Sequence, residues 1–339
     1  MSNPSPLLAH PSALPTKARG EIGDAAVANT PEARVIAANK DFYGQIATKY
    51  EQYESCTFEP YLQQILDKDM ETVHSWFTSL GRTPHCLDCG GGTGNLAMKM
   101  LARGYNVTVV DVSAEMLAVL KEKARAGGHS PRLVHSSIER FLGEARETFD
   151  LVAFSSVLHH LYSYTSIVQL ATAAVSPGGI FYSNFDPIVP RSSFWTGACH
   201  TLDIAVAKTM LDPSDVLPGI GRRFLKVLTR RDPLFRRKLV SAGDLAEYHA
   251  YSGVDDAEVS RLLCNEGFAI VEHLRYPTGR TRAVRLLNER FRFLEYFKII
   301  ARRTESRIRI HGKGIRHGNG NFGAAQGSGS PSGFPGENG

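Results

Sequence analysis

The stretch CLDCGGGTGN, residues 86–95, constrains this chain more than any other part of it. A short strand-like pentapeptide, HCLDC, ending at Cys89 runs into Gly90, Gly91, Gly92 and Gly94, and NLAMKMLARG then repeats apolar residues at helical spacing up to a glycine stop. A strand, a glycine turn and a helix in that order put bare backbone and a helix N-terminus at the end of a sheet. The same rhythm continues. YNVTVVDV is a buried strand reaching Asp111, and SAEMLAVLKEKARAGG is a helix with Ser113 as its N-cap. PRLVHSS, FDLVAF and IFYSNFDP read as three more strands, and IERFLGEARE and YTSIVQLATAAVSPGG as the helices between them. This alternation predicts an α/β fold with a mostly parallel sheet covered by helices on both faces.

The flanks have a different texture. Residues 1–30 are proline-rich and 312–339 are dominated by glycine, serine, proline and asparagine, so both ends are expected to be disordered. Residues 31–80 predict an N-terminal helical lid, opened by Thr30 and Pro31. The α/β core is expected over 81–186, and 187–253 breaks the alternation as an inserted helical cap. The core resumes over 254–311 and ends in a basic C-terminal helix spanning TRAVRLLNERFRFLEYFKIIARR, residues 281–303.

Five scattered cysteines do not make a disulfide framework, which points to a reducing, cytoplasmic setting. Cys86 and Cys89 lack a second Cys-x-x-Cys pair, and their odd spacing on a strand sends them to opposite faces, so no metal is expected. No stretch approaches the roughly 20 apolar residues that span a bilayer. The formal net charge is only +5, but it is unevenly spread. Residues 217–240 hold eight Arg or Lys against Asp232, and 281–303 hold seven against two Glu. Such segments suit solvated arginines over an apolar contact, peripheral docking on an anionic membrane, or a phosphate-bearing substrate. Nucleic acid is not expected, since no RNA-binding domain or zinc knuckle accompanies them.

Two readings of the glycines stay open on their own terms. Gly92 to Ala97 fits the G-x-G-x-x-A loop of a dinucleotide site. Asp88 followed by Gly90, Gly92 and Gly94 instead offers a carboxylate for an amino group beside exposed backbone. Asp111, at the end of the second strand, can accept ribose hydroxyl hydrogen bonds under either reading.

Taken together, LDCGGGTG, VTVVDVSAEML, FDLVAFSSVLHHL and SPGG before a strand resemble the class I S-adenosylmethionine-dependent methyltransferases, most closely their small-molecule, type 11/12-like branch. The resemblance covers roughly Phe42 to Tyr276. It implies a Rossmann-like methyltransferase fold, S-adenosyl-L-methionine as cofactor and S-adenosyl-L-homocysteine as product. The implied reaction is methyl transfer to O, N or C of a small or lipid-like acceptor. By the same resemblance Asp88, Gly90, Gly92 and Gly94 contact the methionine part, and Asp111 the ribose. Val112 and Met116 flank the adenine, Ser137 stands where an aspartate usually reaches the adenine amino group, and Tyr43 closes over the site. His159 is expected to act as base or to position the acceptor, with Asp186 and His249 on the substrate side. The rivals are a protein of this fold that binds the same cofactor for other chemistry, an NAD-dependent oxidoreductase, and a membrane or RNA adaptor.

Overall fold

The computed structural model describes residues 30–53, 57–189, 245–246, 248–249, 252–277 and 282–304. The leader, the tail, the basic stretch 217–240 and nearly all of the expected helical cap lie outside the described residues.

The core is a seven-stranded sheet in the order β3-β2-β1-β4-β5-β7-β6. Its strands are β1 (His85–Cys89), β2 (Asn106–Asp111), β3 (Arg132–His135), β4 (Phe149–Ser155), β5 (Val175–Pro187), β6 (Phe268–Tyr276) and β7 (Tyr296–Arg303). Pairs from β3 through β5 are parallel, and β7 runs antiparallel to both of its neighbours. The order reverses at β1, so the carboxyl ends of β1, β2 and β4 open a crevice there.

Alternating residues feed two cores. Leu87 and Cys89 pack on one side with helices α6 (Ile138–Glu144), α7 (Tyr164–Ala174) and α8 (Asp256–Asn265). Cys86 packs on the other with α3 (Pro60–Phe77), α4 (Asn95–Ala102) and α5 (Ala114–Ala126). The two cysteines therefore face opposite ways, and no metal-holding cluster exists among the described residues. Burial drives both thiols well above their ordinary pKa, which leaves them inert packing groups.

Two expectations are corrected. Residues 31–80 are not one unit: α1 (Pro31–Ile46), capped by the Thr30 hydroxyl on the Ala33 N–H at 3.2 Å, and the short α2 (Tyr50–Tyr53) add no residue to either core. Helix α3 is a core layer, because Leu62, Leu66, Met70, Val73 and Phe77 form a continuous buried stripe at helical spacing. The C-terminal segment 281–303 is not one helix. It is α9 (Arg282–Arg290), a turn, and strand β7. Phe297, Ile299 and Ala301 enter one core and Ile300 the other, a demand for two buried faces that a surface helix does not meet.

Candidate functional site

The crevice at the strand-order reversal is a cavity of about 950 Å³ counted out to the open solvent at its mouth. Its floor is the glycine turn. Gly90 and Gly92 hold φ of +67° and +53°, and the Gly90 N–H donates to the Val110 carbonyl at 2.7 Å. A Cβ at Gly91 would stand 2.4 Å from Val109 Cγ1 and 2.9 Å from Asp88 Oδ2, so that glycine leaves the carboxylate its room.

Asp88 is buried, and neither carboxylate oxygen has a hydrogen-bonding partner. Burial, aided by the nearby charge of Asp111, pushes its pKa up to about 8; the Ala97 N–H tempers the rise without reaching hydrogen-bond geometry. Three other cavity residues carry orphaned buried atoms: Asn39 Oδ1, Thr93 Oγ1 and Asn95 Nδ2. Buried polar groups are normally paired. Five unpaired atoms around one cavity mark the place where a polar ligand completes the set.

Asp111, beside Asp88, is already half engaged. Its Oδ2 accepts from the Gly92 N–H at 2.9 Å and its Oδ1 from the Ser113 N–H at 2.8 Å. Each oxygen keeps a further lone pair for a ligand hydroxyl. Burial raises its pKa, and those two N–H groups oppose the rise. Val112, Met116 and Ile138 give the cavity an apolar slot. Ser137 lines it too, although its hydroxyl already accepts from the Arg140 N–H at 3.3 Å as the cap of α6.

The other expected residues divide. Tyr43 lines the cavity, with its hydroxyl 3.2 Å from His160 Nε2. His160 Nδ1 donates to the Ala246 carbonyl at 2.8 Å, so Nε2 is the acceptor for the tyrosine. Gly94 is not among the lining residues. It sits at the N-cap of α4 with φ +92°, where a Cβ would fall 2.3 Å from Leu120 Cδ1, so its glycine serves packing. His159 and Asp186 are both buried and pair with each other below the lining. His249 is also off the lining. Its Nδ1 lies 3.1 Å from Ser252 Oγ and its Nε2 3.3 Å from the Tyr162 carbonyl, and burial lowers its pKa.

Sequence reasoning missed Glu139, Asn39 and Ser156. Glu139 lines the cavity from the first turn of α6, and burial raises its pKa. Ser156 holds φ +61°, a strained value for a residue with a side chain, and forms part of the wall. No lysine or arginine lines the cavity among the described residues, whereas Asp88, Asp111 and Glu139 do. A pyrophosphate would meet three carboxyl groups and no cation; a ligand with an ammonium or sulfonium group fits the donor set.

Residues 87–183 match the family model described as a methyltransferase domain. The chain is 30% identical over 142 residues to tRNA 5-carboxymethoxyuridine methyltransferase of Escherichia coli (strain K12), covering 41% of this chain and 53% of that protein. It is 33% identical over 149 residues to ubiquinone biosynthesis O-methyltransferase of Klebsiella pneumoniae (strain 342), covering 41% and 61%. The chain thus spans about half the length of the curated relatives it matches. Among solved structures, magnesium protoporphyrin IX methyltransferase from Synechocystis PCC 6803 with bound SAH aligns at a TM-score of 0.48 and 14% identity, over 80% of this chain and 100% of that one.

Proposed function

We propose that this chain, with its methyltransferase domain over residues 87–183, is an S-adenosylmethionine-dependent methyltransferase acting on a small or lipid-like acceptor. One observation carries the reading: the buried, unpartnered Asp88 carboxylate beside bare glycine backbone, in a cavity whose charged lining residues are all acidic.

The bound cofactor would supply a methyl group on a sulfonium centre, whose departure leaves a neutral thioether and needs no acid. The residues of the chain have to bind, orient and exclude water. Asp88 would hold the ammonium, and the open lone pairs of Asp111 the ribose hydroxyls. Val112, Met116 and Ile138 would sandwich the adenine. Glu139 offers a carboxyl near the place where the resemblance puts an aspartate and the chain has Ser137. Tyr43, held by His160, would close the mouth. His159 with Asp186 fixes the turn that carries His160, which makes this pair positioning groups rather than the first contact with the acceptor. His249 has the same standing, since its N–H donates to the His159 carbonyl at 2.6 Å. A cytoplasmic location belongs to the same proposal.

Calorimetry with S-adenosylhomocysteine and with NAD tests the cofactor. Binding of the first and not the second is expected; the reverse would make the chain an oxidoreductase candidate. Incubation with methyl-labelled S-adenosylmethionine and a host extract, followed by solvent partition, then tests the acceptor class. Label in small or organic-soluble products is expected, and label confined to RNA or protein would overturn it.

A further inference from the structure

The outward side of α9 joins two kinds of residue that seldom share an exposed surface. Asn288 is buried, and away from it stand Arg282, Leu286, Leu287 and Arg290, with Phe291 and Arg292 in the following turn. All six are exposed; Leu286, Leu287 and Phe291 keep 55%, 47% and 59% of their surface. Single exposed leucines are ordinary. Here Leu287 and Phe291 stand one turn apart, and Arg282, Leu286 and Arg290 form the neighbouring row at i, i+4 spacing. Residues 282–292 contain four arginines against Glu289. Apolar groups among fixed positive charge suit an interface that is oily below and anionic above, and suit water or a neutral protein poorly. Among the described residues no helix is long and apolar enough to cross a membrane, so this face would lie on one.

The inner side of α9 connects to the cavity. Arg285 ion-pairs with Glu59 at 3.6 Å and its guanidinium stands 4.7 Å over the Tyr61 ring. Thr57 and Phe58, the residues immediately before Glu59, line the cavity. One ion pair therefore ties the exposed apolar face to the rim of the site.

We propose that the outward face of α9 docks this protein on an anionic lipid bilayer, with the mouth of the cavity beside the surface so that a lipid-phase acceptor enters from it. The docking stands on the surface alone. The entry of the acceptor rests on the methyl-transfer reading.

Flotation of the full-length chain with phosphatidylcholine vesicles, and with equimolar phosphatidylcholine–phosphatidylglycerol vesicles, tests it. Binding only to the anionic vesicles, weakened by salt, is expected. Leu287→Ser with Phe291→Ser should reduce it at least tenfold, and Arg282→Ala with Arg290→Ala about twenty-five-fold, at about fivefold per arginine. Both variants alter exposed residues and should bind S-adenosylhomocysteine as the parent does, which serves as the folding control. Absence of vesicle binding would overturn the proposal. So would undiminished binding by both variants, which would place docking elsewhere in the chain. A parent that is dimeric by light scattering and turns monomeric on Phe291→Ser would show that a second copy covers the face. Vesicle binding without S-adenosylhomocysteine binding would keep the docking surface and remove the methyl-transfer reading.

Discussion

His159 Nδ1 lies 2.7 Å from Asp186 Oδ1, and the same oxygen accepts the His159 backbone N–H at 3.2 Å. Ser183 Oγ donates to the other oxygen at 3.2 Å. One buried carboxylate thus holds both the ring and the main chain of the turn that carries His160. If the pair works by position, an asparagine amide can replace the ring N–H. His159→Asn should keep label-transfer activity within about tenfold, while His159→Ala should lose about a hundredfold and about 1–3 kcal/mol of stability, because buried Asp186 loses its ring partner and keeps only the His159 backbone N–H and the Ser183 hydroxyl. Equal loss of turnover in both variants, with cofactor binding intact, would make His159 the base instead.

Asp88 sets a pH dependence. Its folded pKa, about 8, stands above the unfolded value, so between those values the folded state binds more protons. Stability from this group is present at low pH and declines as pH rises toward 8. A bound ammonium group favours the carboxylate and should reverse that trend. Calorimetry near neutral pH in buffers of different ionisation enthalpy should therefore show proton release on cofactor binding. Asp88→Asn should remove the proton release and most of the affinity, and should stabilise the free protein by about 1–2 kcal/mol in mild alkali. Proton uptake by the parent would contradict this account of Asp88.

Gly92 and Gly94 should separate under substitution. Gly94→Ala combines φ +92° with a Cβ 2.3 Å from Leu120 Cδ1, behind the cavity. It should cost about 2–4 kcal/mol in urea unfolding while the folded fraction binds S-adenosylhomocysteine nearly as tightly as before. Gly92→Ala meets only the flexible end of Met116, at 3.2 Å, but lies on the cavity floor. It should lose affinity by tenfold or more with a smaller loss of stability. The opposite ranking would return Gly94 to the ligand-binding set.

The periodic parts of the fold were legible in the sequence. Strands β1 to β5 and the helices between them follow from alternating burial, and the glycine turn lines a cavity at the end of β1. What was not legible depends on one-residue geometry or on distant partners. Which of His159 and His160 faces the cavity is decided by the 3-10 turn Leu158–His160, whose handing of adjacent side chains has no sequence signature. Ser156 adopts a positive φ without being glycine, supported by its N–H on the Asn184 carbonyl at 2.8 Å. Glu139 reads as an ordinary helix-start carboxylate until the cavity is seen. Strand β7 was hidden by its charges. Lys298 and the two terminal arginines suggested a basic helix, yet Lys298 is buried against Asp69 of α3.

That pair gives the last test. Lys298 Nζ contacts both Asp69 Oδ1 and Glu272 Oε1, the latter at 3.0 Å. Asp69 Oδ2 accepts from Tyr182 at 2.8 Å and from Asn184 at 3.3 Å, so α3, β5, β6 and β7 meet at one buried charge cluster. Removing one partner of such a pair exposes the desolvation cost of the other, about 3–5 kcal/mol. Lys298→Met should be destabilising on that scale. The stranded Asp69 would then take up a proton on folding, so the deficit should shrink as pH falls and grow as pH rises through its folded pKa. Adding Asp69→Asn removes the charge while keeping an oxygen for Tyr182 and Asn184. The double variant should recover to within about 1–2 kcal/mol of the parent and lose the added pH dependence. Urea unfolding at acid and neutral pH measures both effects. Additive losses in the double variant would mean that α3 is held by its apolar stripe alone and that the charge cluster does not couple it to β7.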